Sequence, residues 1–200
     1  DIVNVADNSF NTGYRTQANF SGTESLREAL NDVAEVTQTI YYINHDWALT
    51  FKRLDMNGEP ALTITKDKYF SLDSKTNRRL AAICHATELG DNVQASMSYS
   101  GTTQYIRNNP FWELREDIDV LVNAALDAVG GLTINQFDCS WRGDFTLEIG
   151  DKIALVTKDN NTVVSYVLND TINYNGFLSE RTKWKYTNSE EEDAANASNI

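Results

Sequence analysis

Proline, cysteine and histidine are scarce in this chain, with two of each among 200 residues. So little proline argues against long rigid linkers. Cys84 and Cys139 lie far apart and form no CxxC, so neither a zinc site nor a disulfide framework is signalled, and reduced, buried thiols are the expectation. His85 follows Cys84, but on a strand neighbours point to opposite faces, so the two cannot grip one metal together. His45 falls in Asn44-His45-Asp46, where it reads as a turn residue. With these two histidines a histidine-based triad has few ways to exist, and no HExxH, P-loop or GxGxxG is present. A run of about 18 apolar residues, as a membrane span needs, is also missing, and residues 1–6 lack the regions of a signal peptide. Positive charge is the last shortage. Seventeen basic against 29 acidic side chains give a net charge of -12, which opposes sequence-specific nucleic-acid binding. That charge reads as solubility, or as an acidic wall along which nucleic acid slides without sticking.

What is present is enough apolar material for a core. Hydrophobic residues make up 41% of the chain, and a chain of this size removes roughly 70% of its unfolded surface from water. The expected fold is α+β and mostly β: a mixed helix-plus-hairpin half over residues 1–108, a helix and a small antiparallel β-barrel over 109–188, and an acidic tail or linker over 189–200. The opening without Met and the charged exit Ser189-Glu190-Glu191-Glu192-Asp193 suggest an excised piece of a longer protein.

Residues 1 to about 20 are polar and turn-rich, suited to one strand or an irregular arm. From Ser25 the period becomes helical, with Leu26, Ala29, Leu30, Val33 and Ala34 on one face and Ser25 with Glu28 fitting a capping box, to about Thr37. Residues 39–43 and 48–54 follow as a hairpin and 61–65 as a short strand, while 67–76 is ambiguous. Residues 79–86 and 94–105 are the next strand candidates, joined at Gly90-Asp91-Asn92. Asn109-Pro110-Phe111-Trp112 breaks the pattern, because proline restricts its predecessor and donates nothing to a ladder. A second helix carries Leu114, Ile118, Leu121, Val122, Ala125 and Val129 on one face, with Glu113, Glu116, Asp117 and Asp119 in its first turns. Gly130-Gly131 ends it through positive backbone angles. Beyond it the period is two: Phe137, Cys139 and Trp141 alternate with polar residues, as do Ile153 and Leu155 with Lys152 and Ala154. Turns at Lys158-Asp159-Asn160-Asn161 and Asn175-Gly176 complete four or five short strands, and the barrel is expected because closure removes edges.

No residue is assigned a catalytic, cofactor-binding or metal-binding role. Asp144, Glu148 and Asp151 are near one another in sequence, the material of a glycosidase pair, yet acidic loops are usually only solvated. Arg142-Gly143-Asp144 spells an adhesion tripeptide, but chance is the better explanation, because a glycine between charges is common where a strand turns. Trp47, Trp112, Trp141 and Trp184 suit either a sugar-stacking platform or burial in a core or interface, and burial is favoured. Asn19-Phe20-Ser21 and Asn169-Asp170-Thr171 match glycosylation acceptors, which mean nothing without a secretory signal.

An ordered set of segments resembles the hub proteins at the tip of bacteriophage tails, including the structural region of tail-associated lysins. The set runs from Ser25-Leu26-Arg27-Glu28-Ala29-Leu30 through Ile43-Asn44-His45-Asp46-Trp47-Ala48-Leu49 and Asn109-Pro110-Phe111. It closes with Trp141-Arg142-Gly143, Leu147-Glu148-Ile149-Gly150-Asp151 and Asn175-Gly176-Phe177-Leu178, where Phe177 replaces a frequent second glycine. The resemblance implies a homotrimeric ring that caps the tail tube, anchors other tail-tip proteins, sits in the virion and assembles in the bacterial host cytoplasm; with the catalytic motifs missing, no enzymatic activity is expected. A carbohydrate-binding or host-adhesion module, or part of a wall-degrading hydrolase, is the alternative.

Overall fold

Helix α1 (Leu26–Thr37) starts as its sequence dictates. The Ser25 hydroxyl accepts from the Glu28 amide at 3.3 Å and the Glu28 carboxylate accepts from the Ser25 amide at 2.6 Å, the reciprocal capping box. Burial then differs from the expected face. Leu26 is 75% exposed, and the helix meets the core only at its last turn, through Ala34, Val36 and Thr37.

The computed structural model describes residues 5–8, 25–86, 92–113, 115–174 and 178–184, with the side chains of 5–8, 75–77, 134, 183 and 184 left aside. Leu114, residues 90–91 and 175–176 of the expected turns, Trp184's side chain and the acidic tail therefore lie outside the described residues, while Asn92 already belongs to a strand. Within them α1 is preceded by β1 (Val5–Asn8) and followed by β2 (Ile40–Ile43), β3 (Leu49–Lys52) and β4 (Leu62–Ile64). Strand β1 runs parallel to β3, and β2 pairs antiparallel with it, making a three-stranded sheet.

The ambiguous stretch 67–76 is the start of β5 (Tyr69–Ala86), an 18-residue strand. Irregularities at Tyr69/Ser71, Ser74/Asn77 and Leu80/Ala82 break its register, and each bulge shifts the alternation by which a strand is recognised. The expected strand 94–105 is two strands, β6 (Asn92–Ser96) antiparallel to β5 and β7 (Thr102–Arg107) parallel to it. The chain switches pairing within residues 97–101. A Cβ on Gly101 would stand 2.2 Å from the Arg79 carbonyl oxygen and 2.9 Å from the Ala81 methyl, so only glycine fits against β5 there.

Helix α2 (Ile118–Val129) begins within the acidic cluster: Glu113 and Glu116 precede it, Asp117 is its cap residue, and Asp119 lies in its first turn. Asp117 occupies the cap position but offers no capping bond, because Arg115 takes both its oxygens at 2.8 Å. At the far end Gly131 alone adopts a positive φ, +90°, whereas Gly130 has φ -59°.

The expected barrel does not close. Strands β8 (Thr133–Trp141), β11 (Asn169–Tyr174) and β12 (Leu178–Trp184) join β5 and β6 in an open sheet of order β11-β12-β8-β5-β6, with β7 also on β5. Strands β9 (Lys152–Val156) and β10 (Thr162–Tyr166) form their expected hairpin, turned by Asn160 at φ +63°, but β9 then pairs parallel with β4. The physical reason is the length of β5: its first half accepts β8 while its second half accepts β6 and β7, so the later strands find partners before residue 108. Between β8 and β10 side chains stand in for a ladder, with the Ser165 hydroxyl donating to the Asn135 carbonyl at 2.6 Å and the Asn135 amide to the Val164 carbonyl at 2.5 Å.

Two cores result. One gathers Val36 of α1, Ile83, Ala95 and Ile106 of the sheet, Trp112, and Val122, Ala125, Leu126 and Val129 of α2. The other gathers Ile64, Phe137, Cys139, Trp141, Leu147, Ile153, Leu155 and Val167.

Candidate functional site

The loop between β8 and β9 carries Asp144, Glu148 and Asp151, each already engaged. Asp144 accepts from the Thr146 amide at 2.9 Å and its hydroxyl at 2.7 Å, which holds its carboxyl below the ordinary value. Glu148 accepts from the Tyr42 hydroxyl at 3.0 Å and the His45 amide at 3.3 Å. Asp151 pairs with Lys52 at 2.6 Å and accepts from the Glu148 amide at 2.9 Å. A glycosidase acid must be held protonated, and Asp144 shifts the other way. Glu148 and Asp151 fasten the loop to the β2–β3 hairpin, while Asp144 braces the loop itself. Arg142-Gly143-Asp144 lies where β8 ends, with Gly143 at φ +87° and close against Leu178 and Glu180.

Sequence reasoning passed over a different carboxyl pair. Glu180 is 2% exposed, and burial, followed by the charges of Asp170 and Asp144, pushes it up to about 7. Asp170 is raised as well, chiefly by burial. The Asp144 amide donates to one Glu180 oxygen at 2.8 Å. A signal existed: Leu178, Glu180 and Thr182 alternate at period two, which sends Glu180 and Thr182 to the same face as Leu178. A lone Glu between Ser179 and Arg181 reads instead as solvated.

Cys84 and Cys139 are buried free thiols, as expected, and burial drives Cys139 up to about 12. His85 is buried edge-on against Trp112, ring centres 5.8 Å apart, and desolvation lowers its imidazole. No group of three metal-ligating His, Cys, Asp or Glu residues occurs among the described residues. Trp112 and Trp141 are core residues.

Trp47 is not. It stands 86% exposed at the tip of the β2–β3 hairpin, at φ +61°, a conformation that glycine or asparagine usually fills. The turn is tied by the Asn44 amide donating to the Ala48 carbonyl at 3.0 Å, while the Asn44 side chain accepts from Asp46 and Ala48. A large aromatic held in strain, facing solvent, adds nothing to its own core. Phe70, Phe145 and Tyr174 are exposed too, where β5 begins, after β8 ends and where β11 ends. An apolar cavity of about 320 Å³ lies beside α1, lined by Ala34, Ile40, Leu54, Leu80 and Val129 among others. This chemistry suits contact with other surfaces.

No protein-family model and no curated protein matches the chain. Solved structures do. A tail protein from Neisseria meningitidis MC58 aligns over 84% of this chain and 57% of its own, at 10% identity and a TM-score of 0.52. The 43 kDa tail protein of prophage MuSo2 from Shewanella oneidensis aligns over 90% and 60%, at 10% identity and a TM-score of 0.55. A prophage tail protein from Listeria monocytogenes EGD-e aligns over 98% and 64%, at 11% identity and a TM-score of 0.53. The chain has the fold of phage and prophage tail proteins. It spans 57%, 60% and 64% of those three chains. No helix among the described residues is long and apolar enough to cross a membrane.

Proposed function

We propose that this chain is a non-enzymatic structural module of a phage or prophage tail-tip hub, which assembles with copies of itself into a ring, a trimer by family resemblance, and anchors other tail proteins. The observation that carries the proposal is the fold shared with tail proteins of three bacteria over 84%, 90% and 98% of the chain. The engagement of Asp144, Glu148 and Asp151 in hydrogen bonds supports a structural role for that loop. Exposed Trp47, Phe145 and Tyr174 supply the aromatic anchors on which interfaces concentrate their energy.

Light scattering coupled to size exclusion tests self-assembly directly. A particle three times the 22.5 kDa chain is expected, and a monomer at every concentration to the solubility limit would overturn the ring. The exposure of Trp47 also favours one alternative, stacking on a sugar face in host adhesion. A host-wall glycan array distinguishes it: binding that disappears in Trp47→Ala supports adhesion, and no binding at millimolar sugar removes it.

A further inference from the structure

The buried polar atoms Tyr69 Oη, Trp141 Nε1 and Thr182 Oγ1 have no hydrogen-bond partner, and the buried oxygens Asp170 Oδ1 and Glu180 Oε1 meet no donor group, only each other's carboxyl. Strand register brings them together. Tyr69, Trp141 and Glu180 lie in one row across β5, β8 and β12, while Asp170 of β11 sits directly opposite Thr182 of β12. Glu180 and Thr182, two residues apart, face the same way. Thr182 is 0% exposed, so no bulk water reaches its hydroxyl.

A buried and a half-buried carboxyl within hydrogen-bond reach of each other must share a proton or a cation. A shared proton links Asp170 to Glu180 and leaves the Thr182 hydroxyl as it was. A cation accounts for all three oxygens. We propose that Asp170 Oδ1, Glu180 Oε1 and Thr182 Oγ1 bind a hard divalent cation, Ca²⁺ in preference to Mg²⁺, with water completing the shell. All three donors are oxygen, and two carboxylates cancel the charge of one divalent ion. A set drawn from two strands suits the flexible coordination of Ca²⁺, whereas Mg²⁺ demands near-octahedral geometry and sheds water reluctantly. The second Glu180 oxygen is held by the Asp144 amide at 2.8 Å, which fixes the side chain's direction. Among the described residues, the titratable groups facing the pair are the Cys139 thiol, the Tyr69 phenol and Asp144, and none of these is cationic. Arg181 is spent on the opposite face, paired with Asp138 at 2.7 Å. The net charge of -12 raises the local concentration of cations. The bound ion ties edge strand β11 to the rest of its sheet.

Thermal unfolding of the full chain at about pH 8, in chelator and then in millimolar CaCl₂ or MgCl₂, is the test. At roughly a hundredfold excess over Kd, Ca²⁺ is expected to raise Tm by about 5–10 °C, Mg²⁺ by less, and Asp170→Asn or Glu180→Gln to abolish the rise. Terbium provides a readout that needs no variant: placed beside Trp141 it should emit by energy transfer from the indole, and Ca²⁺ should quench that emission. Should pH alone govern stability, with no Ca²⁺ shift and no terbium emission, a shared proton replaces the cation. A Ca²⁺ shift retained by both variants places the ion elsewhere and also overturns the site. The site needs no ring to form, so neither failure touches the assembly role.

Discussion

Replacing Asn109 by alanine removes three hydrogen bonds from a place water does not reach. Asn109 is 0% exposed; its amide donates to the Asp32 carbonyl at 3.0 Å and the Glu35 carboxylate at 2.9 Å, and its carbonyl accepts from the Phe111 amide at 3.0 Å. One side chain thus ties α1 to the turn that leads into α2. A buried neutral bond is worth about 1 kcal/mol and a bond to a charged group about 1.5–3 kcal/mol, so Asn109→Ala should lose about 4 kcal/mol. The pH dependence separates these parts. Burial raises the Glu35 carboxyl above its ordinary 4.5 while Asn109 holds it down, so the charge-assisted portion disappears as Glu35 takes up a proton. Asn109→Asp sets a second carboxylate beside Glu35 and should lose more at neutral pH than at pH 4. Urea unfolding followed by tryptophan fluorescence reads both, since Trp112 is packed three residues away. An alanine variant within about 1 kcal/mol of wild type, or one whose loss ignores pH, would refute the assignment.

Three further outcomes follow from the same reasoning. In chelator, the folded chain keeps the Glu180 proton through the window from 4.5 to about 7 that the unfolded chain gives up, so this group's stability is full below 4.5 and is lost as pH rises through the window. Above the window the deficit is on the order of 3 kcal/mol, and Glu180→Gln should flatten the profile. Trp47→Gly relieves about 1–2 kcal/mol of left-handed strain against about 0.5–1 kcal/mol of glycine entropy, so the melting point should hold or rise. Self-association should meanwhile weaken tenfold or more; a destabilised monomer would show that Trp47 serves its own fold. Gly101→Ala should lose about 2–3 kcal/mol in urea, because a methyl cannot share space with the Arg79 carbonyl.

The parts legible in the sequence were those specified by neighbouring residues. Ser25 and Glu28 announce the start of α1 because both halves of the capping box lie within four residues, and the 158–161 turn joins β9 to β10 through its own asparagine. Strand β5 was hidden because bulges near Phe70 and Asn77 break its alternation, and β7 because its parallel pairing is made across a five-residue crossover. The missing barrel has the same cause: local alternation identifies strands, but the pairings of β4 with β9 and β5 with β8 span more than 50 residues and leave no local mark. Asp170 and Glu180 also escaped notice, ten residues apart on two strands whose register is invisible until they fold.

The central claim is that this chain belongs to a tail tip. Gold-labelled antibody against it, applied to tail particles from the source strain and viewed by electron microscopy, tests that most directly. The account predicts gold at the tail tip and nowhere along the tube. Intact tails that bind no antibody, with the antigen left in the cell, would contradict it.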